Sequence, residues 1–72
     1  MSQVSTTQAI ATAVKDARRR QGLDQESLAL VANVGVRTLH RIEHGEATVR
    51  LDRLLAVLDA LGLEVELRPR AR

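Results

Sequence analysis

Cysteine is absent from the 72 residues, which excludes disulfide staples and thiolate metal sites, two usual ways of holding so small a fold together. Phe, Tyr and Trp are absent too. Without these side chains, the usual platforms on which unpaired bases stack, single-stranded DNA and RNA are disfavoured as targets and duplex grooves are favoured. No apolar run approaches the length of a membrane span, and the first residues, MSQVSTTQ, lack the basic region and long apolar core of a signal peptide. A cytoplasmic protein without a membrane partner is expected. A glycine-rich phosphate loop is missing, as is any Ser/His/Asp or Cys/His arrangement in a supporting context. The chain is therefore expected not to be an enzyme and to need no cofactor.

A chain of this length makes one domain and buries little of its unfolded surface, so its stability is marginal. With no staple available, association with a second copy is the remaining support. Eleven basic residues against nine acidic ones leave a net charge of +2, and all the basic residues but Lys15 are arginine. This modest basicity permits nucleic-acid binding without requiring it. Placement says more: Arg18, Arg19 and Arg20 follow a helix-like segment, Arg37 and Arg41 stand four apart, and Arg68, Arg70 and Arg72 crowd the C-terminal end.

Ser5 followed by Gln8 is a capping-box pattern, and Ile10, Ala13, Val14 and Ala17 then share one helical face, which predicts a first helix from about Thr6 to Gln21. Gly22 is the expected stop, and Asp24 can cap a short second helix, Gln25 to Ala32, with Leu28, Ala29 and Ala32 inward. Asn33, Val34 and Gly35 supply a tight turn before a third helix that turns Leu39 and Ile42 inward and ends near Gly45. After a loop, Leu51, Leu54, Leu55, Leu58 and Leu61 form a stripe at helical spacing, stopped by Gly62.

Residues 63–68, Leu-Glu-Val-Glu-Leu-Arg, alternate with a period of two and end at Pro69, which predicts a strand. Nothing else in the chain reads as its partner, and an unpaired edge beside Leu63, Val65 and Leu67 is an association surface. The simplest partner is the same strand of a second copy, giving a two-fold homodimer. Centring the pair on Val65 sets Glu64 opposite Glu66. Centring it on Glu66 pairs Glu64 with Arg68 but opposes two Glu66 side chains, so the register stays open.

The segment GLDQESLALVANVGVRTLHRIEHG, Gly22 to Gly45, resembles the XRE/Cro type of helix-turn-helix, with Gln25, Leu28-Ala29, Val34, Leu39, Ile42-Glu43 and Gly45 in the family's order. The resemblance implies an all-α, lambda repressor-like domain of four to five helices whose third helix enters the major groove of duplex DNA. It divides the chain into a flexible N-terminus (1–5), the helix-turn-helix domain (6–62), a dimerisation strand (63–68) and a basic tail (69–72). On that pattern Val36, Arg37, His40 and Arg41 look into the groove, because Leu39 and Ile42 face the core. An arginine fork can donate to guanine O6 and N7, and Val36, where many relatives carry a polar residue, can meet a thymine methyl. Gln25, Thr38, His44 and Arg50 are the expected phosphate contacts. Arg18 and Glu43 match an arginine–glutamate pair that ties the first helix to the third in family members.

His40 to His44 also spells H-x-x-E-H, the inverted zinc-protease motif. Catalytic zinc needs three protein ligands and an enclosed cleft, whereas the chain has no further His and no Cys. No metal site is expected from the sequence.

The run from Thr48 to Leu67, TVRLDRLLAVLDALGLEVEL, together with the length and terminal strand, resembles HipB-like antitoxins, including the Y4mF type. That resemblance implies a nucleoid-associated homodimer that represses its own operon through palindromic operators and holds a HipA-like Ser/Thr kinase toxin inactive. Two alternatives remain open at this point. One is a free-standing XRE-family regulator without a toxin, and the other is a protein-interaction module that has lost DNA binding.

Overall fold

The computed structural model describes residues 6–70, and they carry four helices: α1 (Thr6–Arg20), α2 (Gln25–Ala32), α3 (Val36–Glu43) and α4 (Leu51–Leu61). The Ser5 cap, the N-terminal segment 1–5 and Arg72 of the basic tail lie outside the described residues. Asp24 caps α2 as its position predicts, its Oδ1 accepting the Ser27 N–H at 2.7 Å. That bond, made to the charged form, holds the Asp24 carboxyl below the ordinary carboxylate range. Both α1 and α4 end at glycine in the left-handed region, Gly22 (φ 70°) and Gly62 (φ 74°).

In the turn between α2 and α3 the left-handed residue is an asparagine rather than the glycine. Gly35 sits at φ −70°, and the left-handed position falls on Asn33 at φ 58°. Asparagine tolerates that conformation better than other side chains, and its placement lets the Val34 N–H reach back to the Ala29 carbonyl at 3.0 Å. Val34 is thereby folded against the core, which fixes the angle at which α3 leaves.

The core joins Val14 and Ala17 of α1, Leu28, Ala29 and Ala32 of α2, Leu39 and Ile42 of α3, and Val57, Leu58 and Leu61 of α4. Both α1 and α2 lie against α3 and α4, and the alanines keep those approaches close. Gln21 closes the far end, its Nε2 donating to the Leu61 carbonyl at 2.9 Å. Gly45, at φ 75°, ends the α3 segment where a Cβ would come within 2.6 Å of the Gln8 amide. Gly45→Ala is expected to cost about 1–2 kcal/mol from the left-handed backbone alone, read as a lower urea midpoint with an unchanged slope.

The leucine stripe of α4 is wider than the core it meets. Leu58 and Leu61 are buried and Leu54 is half-buried, but Leu55 is 44% exposed and Leu51 67% exposed. These two leucines, with Ile10 and Ala13 of α1 and Val65 and Leu67, line one continuous open apolar groove. Beyond Gly62, Leu63 packs against the core, its N–H bonded to the Leu58 carbonyl at 2.8 Å. Residues 64–70 are exposed, and no strand is formed among the described residues. The predicted strand 63–68 is thus not present within one chain, since a ladder needs a second backbone to accept its hydrogen bonds.

Candidate nucleic-acid interface

Leu39 and Ile42 are buried, so the opposite face of α3 is turned to solvent and carries Val36, Arg37 and His40. The Arg37 guanidinium has no hydrogen-bond or ion-pair partner among the described residues. It stands in the first turn of α3, where helix-turn-helix proteins make base contacts. Val36 is 46% exposed, an apolar contact surface beside that guanidinium. His40 and His44 lie one turn apart at the end of the helix, rings 4.1 Å apart between centroids.

Arg41 is placed differently from Arg37. Its Nε donates to Glu46 Oε1 at 2.9 Å, and its Nη2 donates to both the carbonyl and the Oγ1 of Thr48. The guanidinium is therefore turned toward the loop after α3 rather than standing free beside Arg37. Arg50 is similarly shared, with an exposed Asp52 at 2.9 Å. Exposed pairs of this kind contribute little and exchange readily for other partners.

Beneath the face lies the polar tie that orients it. Glu43, the third buried residue of α3, accepts from Arg18 Nε at 2.6 Å and Nη2 at 3.0 Å, and from Gln25 Nε2 at 3.1 Å. Arg18 Nη1 donates to the Leu23 carbonyl at 2.9 Å. One carboxylate thus joins α1, α2 and α3. Burial alone would push the Glu43 carboxyl up, but the hydrogen bonds from Arg18 and Gln25 outweigh it and hold the carboxyl below the ordinary range. The same pairing raises the Arg18 pKa.

The expected Arg18–Glu43 pair is formed. Gln25 is in contact with it, a tie that sequence spacing did not reveal, because the partners are 18 positions apart. One amide hydrogen of Gln25 is engaged in this way and the second faces no partner among the described residues. Thr38 is half-buried with no hydrogen bond from its side chain among the described residues, and His44 Nδ1 lies 2.8 Å from the His40 carbonyl oxygen. The contacts of Arg41 to Glu46 and Thr48 also went unread, since loop residues after α3 carry no periodic signal. No group of three or more metal-ligating side chains, and no helix long and apolar enough to cross a membrane, occurs among the described residues.

Residues 14–67 match the helix-turn-helix family. The chain is 34% identical over 64 residues to the HTH-type transcriptional regulator y4mF of Sinorhizobium fredii, a match covering 89% of this chain and 84% of that protein. Among solved structures it resembles a chain of a HipA–HipB–O2–O3 complex, with a TM-score of 0.82 and 21% identity over 99% of this chain and 100% of that one. A HipB–O4 20mer complex matches with the same TM-score, identity and coverage. With the turn, the α3 anchor residues and the Arg18–Glu43 pair in place, the chain belongs to the XRE-type helix-turn-helix family of DNA-binding regulators.

Proposed function

We propose that the protein is a homodimeric repressor of a palindromic operator and the antitoxin partner of a HipA-like Ser/Thr kinase. The observation that carries DNA reading is the outward face of α3, where an unpaired Arg37 guanidinium stands beside exposed Val36 and His40 on a helix anchored by Leu39 and Ile42. Arg37 reads a guanine through O6 and N7, Val36 meets a thymine methyl, and His40 reaches a neighbouring base edge. Arg41 joins them by exchanging its exposed contacts with Glu46 and Thr48 for a base. Gln25 through its second amide hydrogen, Thr38, His44 and Arg50 hold phosphates and fix the register.

The second copy docks through residues 63–68 and the apolar groove of α1 and α4. Half-sites then lie about one helical turn apart, roughly 34–36 Å. The toxin partner is supported by likeness of fold to a chain of a HipA–HipB complex. The description of the Sinorhizobium relative as a transcriptional regulator supports a second reading, a regulator that works without a toxin.

The test is binding to DNA from directly upstream of the protein's own gene, against scrambled DNA, at low and physiological salt. Selective binding that survives salt, with a two-fold footprint, is expected. Equal binding to both, lost with salt, would leave only charge attraction, and no binding would favour a protein-interaction module. Co-expression with a kinase encoded beside the gene separates antitoxin from free-standing regulator. Arg37→Ala is expected to weaken the cognate site by about 1–3 kcal/mol while barely changing random DNA. Equal losses on both DNAs would make Arg37 a phosphate contact instead.

A further inference from the structure

His40 and His44 are four apart on α3, so their side chains rise from one face of the helix, one above the other. The rings are tilted by 43° with centroids 4.1 Å apart, and both residues are exposed. The His40 carbonyl accepts the His44 backbone N–H at 3.1 Å and also faces the His44 Nδ1 at 2.8 Å. In the tautomer whose proton sits on Nδ1, facing that carbonyl, the lone pair of His44 lies on Nε2. Metal-binding imidazoles are commonly oriented in this way, one nitrogen donating to a backbone carbonyl and the other ligating.

We propose that His40 and His44 form a two-histidine chelate for a late first-row divalent cation such as Zn²⁺ on the outward face of α3. Helical zinc sites draw two of their ligands from such a pair, histidines four apart on one face, and imidazole suits zinc, nickel and copper. Catalysis would need a third ligand and a cleft, neither of which a simple chelate requires, and water fills the other positions. The surroundings set a modest affinity. Arg37, one turn earlier, opposes the cation, whereas the Arg41 guanidinium is drawn away toward Glu46 and Thr48. Glu43 faces inward to Arg18 and is not a ligand. The site sits at the C-terminal end of α3, where the helix dipole favours positive charge. A bound ion spans the last turn of the helix and adds its binding free energy to folding.

Tag-free protein titrated with Zn²⁺ tests the chelate through amide and imidazole NMR signals and melting temperature. Saturable binding of one ion per chain is expected, with perturbations centred on residues 40 and 44 and a rise in melting temperature. Both side chains are exposed, so His40→Ala and His44→Ala stay folded, and each weakens binding by at least about tenfold and removes the thermal shift. Non-saturable binding, perturbation elsewhere, or undiminished affinity in either variant would overturn the proposal. Zinc-driven association of chains would overturn it too, by assigning the two ligands to different copies.

Discussion

Glu43→Ala is expected to unfold most of the protein near physiological temperature, and Glu43→Gln to lower its melting temperature by at least about 10 °C. The carboxylate side chain is only 2% exposed and accepts three hydrogen bonds, two from Arg18 and one from Gln25. Deleting it leaves a guanidinium that is itself 11% exposed with a single remaining acceptor, the Leu23 carbonyl. Stranding one partner of a buried pair costs about 3–5 kcal/mol. Domains of this size stand near the low end of about 5–15 kcal/mol total stability, so the loss consumes most of it. Glutamine keeps the shape and one acceptor oxygen but turns an amide toward Arg18, and its effect is smaller. A combined Arg18→Met and Glu43→Leu variant should recover part of the loss, because no buried charge is then left unpaired. An unchanged melting temperature for Glu43→Gln would mean that the pair does not hold the helices together.

The same pair predicts how stability depends on pH. The folded Glu43 carboxyl is held below its unfolded value, so its contribution is fully present above the ordinary carboxylate range and is lost as pH falls through the folded value. Asp24 shifts in the same direction through its bond to Ser27. Melting temperature should therefore be level above about pH 5 and fall below about pH 4. The gap between wild type and Glu43→Gln should close over that lower range, as the wild-type carboxyl takes up its proton. A gap that persists at low pH would assign the effect of the substitution to packing instead of charge.

What could be read from the sequence follows from how local the determinants are. The limits of α2, Gln25–Ala32, and the stops at Gly22 and Gly62 depend on residues within a turn of each boundary, and they stand where the capping pattern sets them. Periodicity identified the α4 stripe but not the width of the core beneath it. Leu51 and Leu55 share the face of Leu58, yet they stay exposed along the open groove beside Ile10 and Ala13 of α1. The left-handed residue of the turn was not evident because Asn33 and Gly35 can both adopt it, and the choice depends on burying Val34. Arg18 and Glu43 were paired by family resemblance, since a separation of 25 positions carries no local signal. Arg41 followed α3 onto the groove-facing side, but its guanidinium turned to Glu46 and Thr48, which only the path of the loop brings within reach.

If the proposed dimer forms through residues 63–68, Val65→Asp is expected to yield folded monomers and to reduce affinity for a palindromic operator by about a hundredfold or more, leaving single half-site binding nearly unchanged. The monomer survives because Val65 is 55% exposed in the single chain and lies outside the core. Leu67 is 89% exposed and Leu51 67%, and a second copy that covered them would supply the apolar burial that this short, alanine-rich core lacks. A carboxylate at position 65 would enter that interface with no cation opposite it. The penalty is largest if the pair of strands is centred on Val65, because the two introduced carboxylates then face each other. With the pair centred on Glu66, two native carboxylates already oppose, and Glu66→Gln should strengthen the dimer. Sedimentation of both variants reads the register as well as the interface. A Val65→Asp protein that remains dimeric would mean that the copies meet through another surface, and residues 63–68 would lose their assigned role.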